Sequence, residues 1–190
     1  IRIPNQDAKS RDYQRFENRY RPSHADYTYD MKYGIRDHRG GGRSSARETA
    51  NWVAAGAVAQ QLLEQLYPKL AIHAFVTQIG KVTMRASWEK LDVTQSVDPY
   101  VRCPEPDTAA QMVTAIETAR KDKDSVGGAI GCQVSNMPKG LGEPVFHKLE
   151  SDLAAAMLSI NASKGFELGE GFQASGMRGS AHNDAFHYER

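Results

Sequence analysis

The segment from Ala46 to Leu66 constrains the fold most, because it joins a helix-start signal to a long apolar stripe. Its apolar residues recur at positions i, i+3, i+4, i+7, i+8 and i+11, namely Ala55, Val58, Ala59, Leu62, Leu63 and Leu66. This spacing predicts an amphipathic helix. Ser45 to Glu48 form a capping box, in which the Ser45 hydroxyl would accept from the Glu48 amide and the Glu48 carboxylate would reach back. We therefore expect a helix that begins sharply and buries one face.

The remaining periodic segments predict strands and helices in alternation. Strands are expected over 1–3, 71–78 and 128–135, and a second helix over 108–121. A third helix is expected to begin at Pro144, because proline is favoured at a first helical position, with an inward face of Phe146, Leu149, Leu153, Ala156 and Met157. We expect polar loop up to residue 42, a surface excursion over 80–106, and a glycine-punctuated, twisted strand region followed by an open tail from 165. This order predicts an α/β or α+β domain.

Charge is distributed unevenly along the chain. The 190 residues carry a net charge of +1, which lacks the cationic excess of a dedicated nucleic-acid binder. Residues 1–50 hold 11 basic and 7 acidic side chains, and 9 of the 11 are arginine. Arginine favours bidentate capture of phosphate or carboxylate, so the first 50 residues are the place to look for an anion site.

Several classes of protein are disfavoured by the sequence. The longest apolar stretch, Val53 to Ala59, is too short to span a bilayer, and no charged-then-apolar leader opens the chain. Cys103 and Cys132 form no CxxC pair, so neither a disulfide framework nor a zinc knuckle is predicted, and a reducing compartment is expected. Residue types that can bind a metal occur near the end of the sequence, at His182, Asp184 and His187. No further ligand follows them at a diagnostic spacing, so no metal site is predicted there.

The first candidate site lies where Arg39-Gly40-Gly41-Gly42-Arg43 leads through Ser44 and Ser45 into the capped helix. Free amides and the helix dipole favour anions at a helix start, and Arg43 and Arg47 flank it with guanidinium groups. This pattern predicts a phosphate or carboxylate site. The alternative is an ordinary capped helix whose arginines face solvent.

The second candidate site is Arg21-Pro22-Ser23-His24-Ala25-Asp26. Histidine exchanges a proton near neutral pH, and His24 lies between an arginine and an aspartate that could set its charge and tautomer. The alternative is a surface histidine in a polar loop.

These two segments carry a resemblance to a known family. The stretch RPSHADYTYDMKYGIRDHRGGGRSSARETANWVAAGAVA resembles the signature region of chorismate synthases. DSVGG, PKGLGEPVFHKLESDLAAAMLSINASKGFELGEGF and MRGSAHND continue the similarity in the family's order, over essentially all 190 residues. Three residues depart from the family pattern: Ser23 replaces a glycine, His147 an aspartate and His38 an aromatic residue.

The resemblance implies an activity, a cofactor and a fold. Chorismate synthases remove phosphate and a ring hydrogen from 5-enolpyruvylshikimate 3-phosphate, the last step of the shikimate pathway. The reaction is redox neutral but needs reduced FMN, which is thought to lend an electron to the substrate and recover it; NADPH is a candidate reductant. The family fold is an α+β architecture, a β-α-β sandwich with helices packed between antiparallel sheets. The resemblance also implies a cytoplasmic homotetramer that binds neither membrane nor nucleic acid.

Site residues follow from the same resemblance. Arg21 and Arg47 would bind the anionic substrate, His24 would protonate the reduced flavin, and Arg43, Ser44 and Ser45 would contact FMN. The GESHG and RHDPC blocks of the family do not occur in these residues, so we expect residues 1–190 to be one domain, incomplete at both ends. Two alternatives stay open: a non-catalytic module that binds RNA or another polyanion, and an inactive paralogue.

Overall fold

The computed structural model describes residues 2–4, 6, 9–86, 92–93 and 100–186. They divide into two compact units, one formed by Ile1–Gln60 with Gly140–Arg190 and the other by Gln61–Lys139. The helices are α1 (Asp26–Tyr33), α2 (Thr49–Leu66), α3 (Pro106–Lys121) and α4 (Leu149–Leu158), and the strands are β1 (Ala71–Ile79), β2 (Val82–Thr83) and β3 (Gly128–Ser135). Short 3-10 helices occupy Ser10–Phe16, Gly42–Ser44, Ala46–Glu48 and Gly171–Gly176.

The second unit is built on an antiparallel sheet with the strand order β2-β1-β3. β1 pairs with β3 from Ala71 opposite Ser135 to Ile79 opposite Gly128, with one register shift between Val76 and Gln78. β1 lies where β-branched and apolar residues at roughly period two predicted it, and β3 matches the strand expected over 128–135. Glycine at 131 has a packing reason, since a Cβ there would lie 3.0 Å from the Phe75 ring. The Phe75 ring therefore packs against β3 at Gly131.

The core of the second unit forms between α3 and the sheet. Its buried members are Val101, Cys103, Ala109 and Met112, and the side chains packed against them are Val76, Ile79, Val82, Met84, Val113 and Ile116. The prediction that 80–106 is a surface excursion is wrong at both ends, because Val82 and Met84 pack against the core and Val101 and Cys103 belong to it. Residues 87–91 and 94–99 lie outside the described residues. A hydrogen bond from the Val76 amide to the Arg102 carbonyl, 3.1 Å, ties the last part of the segment to β1, so its apolar neighbours enter the core.

Helix α2 ends at Leu66 as predicted but begins at Thr49 rather than Ala46, after the 3-10 turn Ala46–Glu48, and its apolar stripe is not buried by the described residues. Val58 is 57% exposed and Leu62 56% exposed. The 3.6-residue period therefore predicted the helix correctly, while burial depends on a partner surface that the described part of the chain does not provide. The predicted inward face of α4 is also incompletely buried by the described residues: Leu149 and Leu153 are half-buried, and Met157 is exposed.

Four further local predictions are wrong. The third helix begins at Leu149 rather than Pro144, because Val145 adopts φ +71° and Phe146, 82% exposed, lies in a turn. The region 165–179 holds the 3-10 helix Gly171–Gly176 instead of strand. The segment before residue 42 contains α1 and the 3-10 helix Ser10–Phe16 rather than loop alone, and residues 2 and 3 form no strand; residue 1 lies outside the described residues. Hydrophobic periodicity could not predict these short helices, because their sequences are polar and they bury almost no side chains.

Candidate functional site

The three consecutive glycines bring predicted site residues together. Gly40, Gly41 and Gly42 all have positive φ, at +138°, +88° and +48°, a run that side chains would oppose. Gly41 is buried, and a Cβ atom on it would lie 3.2 Å from Arg21 Nη2, 3.2 Å from His24 Cε1 and 3.3 Å from Ser44 Oγ. The bare backbone at Gly41 thus lets the two candidate sites of the sequence become one.

Arg47 lies beside the same loop. Its Nη2 donates to the Gly40 carbonyl at 3.4 Å, a long bond on an exposed side chain. Within the described part of the chain, Arg47 has no carboxylate at ion-pair distance. Its guanidinium therefore keeps its capacity for a bidentate anion contact.

Arg43 differs from Arg47 in having an acidic partner. Its Nη1 donates to Glu48 Oε2 at 2.8 Å, although Arg43 itself is 81% exposed. Glu48 also accepts from Asn51 Nδ2 at 3.3 Å. The carboxylate is thereby drawn toward Arg43 and Asn51, and an anion that binds Arg43 must compete with it.

The predicted capping box is only partly correct. Ser45 is the cap, but its hydroxyl accepts from the Arg47 amide at 3.3 Å rather than from Glu48. The Glu48 amide instead donates to the Ser45 carbonyl at 3.1 Å. The cause is the 3-10 turn Ala46–Glu48, which starts the helix tightly and moves the bonding by one residue.

The two serines have different hydrogen-bonding capacity. Ser44 Oγ donates its proton to the Gly41 carbonyl at 2.6 Å, so its oxygen is left to accept. Ser45 Oγ accepts from a backbone amide, so its own proton is left to donate. Ser45 is therefore the hydroxyl suited to a phosphate oxygen, and Ser44 the one suited to an N–H donor.

Asp26 is the most buried charged group of the site, with 1% of its surface exposed. Its Oδ2 accepts from Arg21 Nε at 2.8 Å, and its Oδ1 accepts from Arg21 Nη2 at 2.9 Å. His24 Nδ1 lies 2.9 Å from the same Oδ1. These bonds from Arg21 outweigh desolvation and lower the pKa of Asp26 to about 2, and the nearby His24 adds to the effect.

Arg21 is held from two sides. Its guanidinium carbon lies 5.8 Å from the centre of the Tyr13 ring and 5.6 Å from that of Phe16, within cation-π range. The hydrogen bond to Asp26 raises the pKa of Arg21, so the guanidinium stays charged. Sequence reasoning missed Tyr13 and Phe16; an aromatic pair three residues apart, five residues before the Arg21 segment, is a weak signal by itself.

Ser23 has a left-handed backbone, with φ +56°. A side chain in this region costs about 1–2 kcal/mol relative to glycine. The departure from the family's glycine therefore puts strain next to His24.

Other polar features lie apart from these residues. A cavity of about 420 Å³ is lined by Glu17, Asn18, Tyr20, Asp30, Ile35, Arg36 and His38, and none of the predicted site residues lines it. The described residues contain no cluster of three or more side chains suited to a metal ion. His187 lies outside the described residues. No helix among them is long and apolar enough to cross a membrane.

The buried Asp26 predicts acid sensitivity. Its pKa of about 2 lies below the value of 3.8 for a free carboxyl group, so the unfolded chain binds more protons between these values. The resulting stabilisation is complete above the higher pKa and is lost as the pH falls through the lower one, about 2 kcal/mol in all. Urea unfolding across this range would measure it. Asp26→Asn should show a shallower acid decline than the wild type, and equal declines would contradict the prediction.

Comparison with known proteins decides the family. The family model for chorismate synthase matches residues 1–190. The chain belongs to the chorismate synthase family. Chorismate synthase of Christiangramia forsetii is 53% identical over 184 residues, which are 97% of this chain and 51% of that protein. Chorismate synthase 1, chloroplastic, of Solanum lycopersicum is 47% identical over 100% of this chain and 43% of its own length.

A solved structure supports the same assignment. A crystal structure of chorismate synthase superposes with a TM-score of 0.76 at 30% identity, covering 87% of this chain and 52% of that one. The α+β fold class implied by the resemblance is confirmed, and the described residues contribute one antiparallel sheet with helices. The chain spans about half the length of the curated chorismate synthases it matches. The prediction of a single domain over 1–190 stays a prediction.

Proposed function

We propose that the protein is a chorismate synthase that eliminates phosphate and a ring hydrogen from 5-enolpyruvylshikimate 3-phosphate, with reduced FMN as cofactor. The observation that carries the proposal is the convergence of Arg21, His24 and Ser44 on Gly41, with Arg47 beside Gly40 and without an acidic partner among the described residues. A substrate with a phosphate and two carboxylates needs several guanidinium groups close together. Membership of the family favours this activity over a polyanion-binding module.

Substrate binding is assigned to Arg21 and Arg47. Arg21 uses Nε and Nη2 for Asp26, which fixes its plane and leaves Nη1 outside that pair. Within the part of the chain that the structure describes, the Arg47 guanidinium has only the long bond to the Gly40 carbonyl to give up. Arg21 is therefore the preorganised cation of the site and Arg47 the adaptable one.

The residues at the start of α2 suit a flavin phosphate by the chemistry of their donors. Ser45 can donate through its hydroxyl, and Arg43 is exposed enough to turn from Glu48 to a doubly charged phosphate. Ser44 offers an acceptor oxygen. Reduced FMN, when bound, would supply the electron that lets the phosphate leave and would recover it with the ring hydrogen. The imidazole of His24, which lies with Ser44 beside Gly41, holds the exchangeable proton.

The wider expectations rest on the family resemblance. We infer a cytoplasmic homotetramer, a small-molecule substrate and NADPH as the candidate source of reducing equivalents. The measurement for the assembly is the mass in solution by light scattering. A monomer with full activity would contradict the tetramer.

The test of the function is an anaerobic titration of the protein, expressed from its complete coding sequence, with reduced FMN. It is done with and without 5-enolpyruvylshikimate 3-phosphate, and both flavin absorbance and chorismate are followed. We expect Arg47→Ala to weaken substrate binding by about 1.5–3 kcal/mol, the range for a charged hydrogen bond. Arg39→Ala, in the same loop but 68% exposed and paired with Asp37, is the matched control and should bind normally.

Each alternative gives a distinct outcome. An unchanged Michaelis constant and rate in Arg47→Ala would refute the assignment of that residue. Flavin and substrate binding without chorismate would identify an inactive paralogue. Binding of arbitrary single-stranded RNA with steep salt dependence, and no flavin binding, would favour the polyanion module.

A further inference from the structure

We propose that Tyr13 is a further substrate-binding residue, whose phenol hydroxyl donates to an anionic oxygen of the substrate bound by Arg21 and Arg47. The inference rests on the proposed function, because it deepens the assignment of these two arginines to the substrate. Tyr13 lies on the 3-10 helix Ser10–Phe16, which precedes Arg21 in the chain.

The 3-10 helix directs two aromatic rings to Arg21. Such a helix has three residues per turn, so the side chains of Tyr13 and Phe16 lie on the same face. Both are half-buried, and their ring centres lie 5.8 Å and 5.6 Å from the guanidinium carbon of Arg21. The other side chains of this helix are exposed. The face that carries Tyr13 is therefore the one that meets the site.

Arg36 holds this helix in place, although none of the helix residues is buried. Arg36 Nη2 donates to the carbonyls of Phe16 and Glu17 at 2.6 Å and 2.7 Å. Only 9% of the Arg36 side chain is exposed, so water competes little for these bonds. The end of the helix is thereby fixed, and the position of the Tyr13 ring is set before a ligand binds.

The hydroxyl end of the Tyr13 ring lies beside the glycine loop. A Cβ atom on Gly40 would be 4.0 Å from Tyr13 Cε2 and 3.3 Å from Arg47 Nη2. Cε2 is bonded to the ring carbon that carries the hydroxyl, so this end of the ring makes the contact. The ring therefore lies next to both arginines that are assigned to the substrate.

The Tyr13 hydroxyl has a proton to donate at this place. It makes no hydrogen bond among the described residues. Phe16 shows that packing against Arg21 needs no hydroxyl, and the side chains of Arg21 and Arg47 have only donors, so neither can accept the phenol proton. An anion bound by the two guanidinium groups would bring acceptor oxygens to the hydroxyl. A hydrogen bond to a charged acceptor is stronger than one between neutral groups.

The test is Tyr13→Phe in the protein expressed from its complete coding sequence, since this variant removes the hydroxyl and keeps the ring beside Arg21. We expect the Kd of 5-enolpyruvylshikimate 3-phosphate, measured by calorimetry with oxidised FMN so that no turnover occurs, to rise at least about tenfold. KM should rise with it while kcat stays the same, as for a contact made equally in the ground state and the transition state. The Kd of FMN and the free energy of unfolding in urea should not change.

The chain supplies a matched control in Tyr33. Its ring packs edge-to-face on Tyr29, and it makes no contact with the Cβ position of Gly40. Tyr33→Phe removes the same hydroxyl group and should change neither Kd nor KM.

Two competitive inhibitors distinguish the anionic groups of the substrate. Inorganic phosphate stands for its phosphate and malonate for its carboxylates. The inhibition constant of the one whose group meets the Tyr13 hydroxyl should rise in Tyr13→Phe, and two unchanged constants would contradict the proposal.

Failure of the inference and failure of the proposed function give different results. A wild-type protein that makes chorismate, together with a Tyr13→Phe variant that binds the substrate as tightly, would overturn the inference alone and leave Tyr13 as a ring that packs on Arg21. An equal loss of binding in Tyr33→Phe would also overturn it. A wild-type protein that binds no 5-enolpyruvylshikimate 3-phosphate would refute the proposed function, and the inference with it.

Discussion

Arg21→Ala should lower the free energy of unfolding by about 3 kcal/mol, because it leaves the charge of Asp26 buried without its main partner. Asp26 is 1% exposed and takes three of its hydrogen bonds from Arg21. One of these is a backbone bond that the variant retains, and Arg21 is 18% exposed, so the value is at the lower end for buried pairs. Urea unfolding at neutral pH measures it.

Two further variants show whether the unpaired charge is the cause. Adding Asp26→Asn to Arg21→Ala removes the buried charge and should recover at least about 1 kcal/mol. Arg43→Ala breaks the ion pair with Glu48, but Arg43 is 81% exposed, so its loss should cost at most about 1 kcal/mol. A double variant less stable than Arg21→Ala would contradict the explanation.

Gly41→Ala should both destabilise the protein and disable the site. The φ of +88° costs a side chain about 1–2 kcal/mol, and the new methyl group would crowd Arg21, His24 and Ser44 at 3.2–3.3 Å. Overpacking of this kind brings the total to about 2–4 kcal/mol. We also expect binding of reduced FMN and substrate to weaken at least about tenfold, since all three side chains must move. Urea unfolding and the anaerobic titration measure the two effects.

Gly34→Ala separates backbone strain from crowding. Gly34 ends α1 with φ +68°, and a Cβ there would have no atom within 4 Å. Its replacement should cost stability by the backbone term alone and leave ligand binding unchanged. Equal losses of binding in both variants would show that the methyl contacts at Gly41 do not matter.

Periodic segments were predictable because their signal is local. The strand expected over 71–78 and the helix expected over 46–66 follow from the spacing of their own side chains; the strand forms over 71–79, and the helix forms over 49–66, three residues later than expected. The family followed from an ordered string of residues in the same way. The start of the third helix was missed because Pro144 is a local signal with two meanings: a first helical residue and a turn residue.

Partnership between side chains was decided by the tertiary structure. Arg43 and Arg47 look equivalent in the sequence, four residues apart at one helix start. In the fold, Arg43 pairs with Glu48, while the Arg47 guanidinium donates, among the described residues, only to a carbonyl at 3.4 Å. The difference depends on where a 3-10 turn points each guanidinium, and no sequence period encodes that direction.

The sequence by itself determined the long periodic elements α2, α3, β1 and β3, the family and the residue types of the site, because periodicity and motif order are properties of neighbouring residues. Only the tertiary structure showed that Gly41 brings His24 and Ser44 together and that Asp26 is buried between Arg21 and His24. In the tertiary structure, the described residues also leave the apolar stripe of α2 exposed. Burial and ionisation depend on the distance through space between groups, and that distance is set by the whole chain.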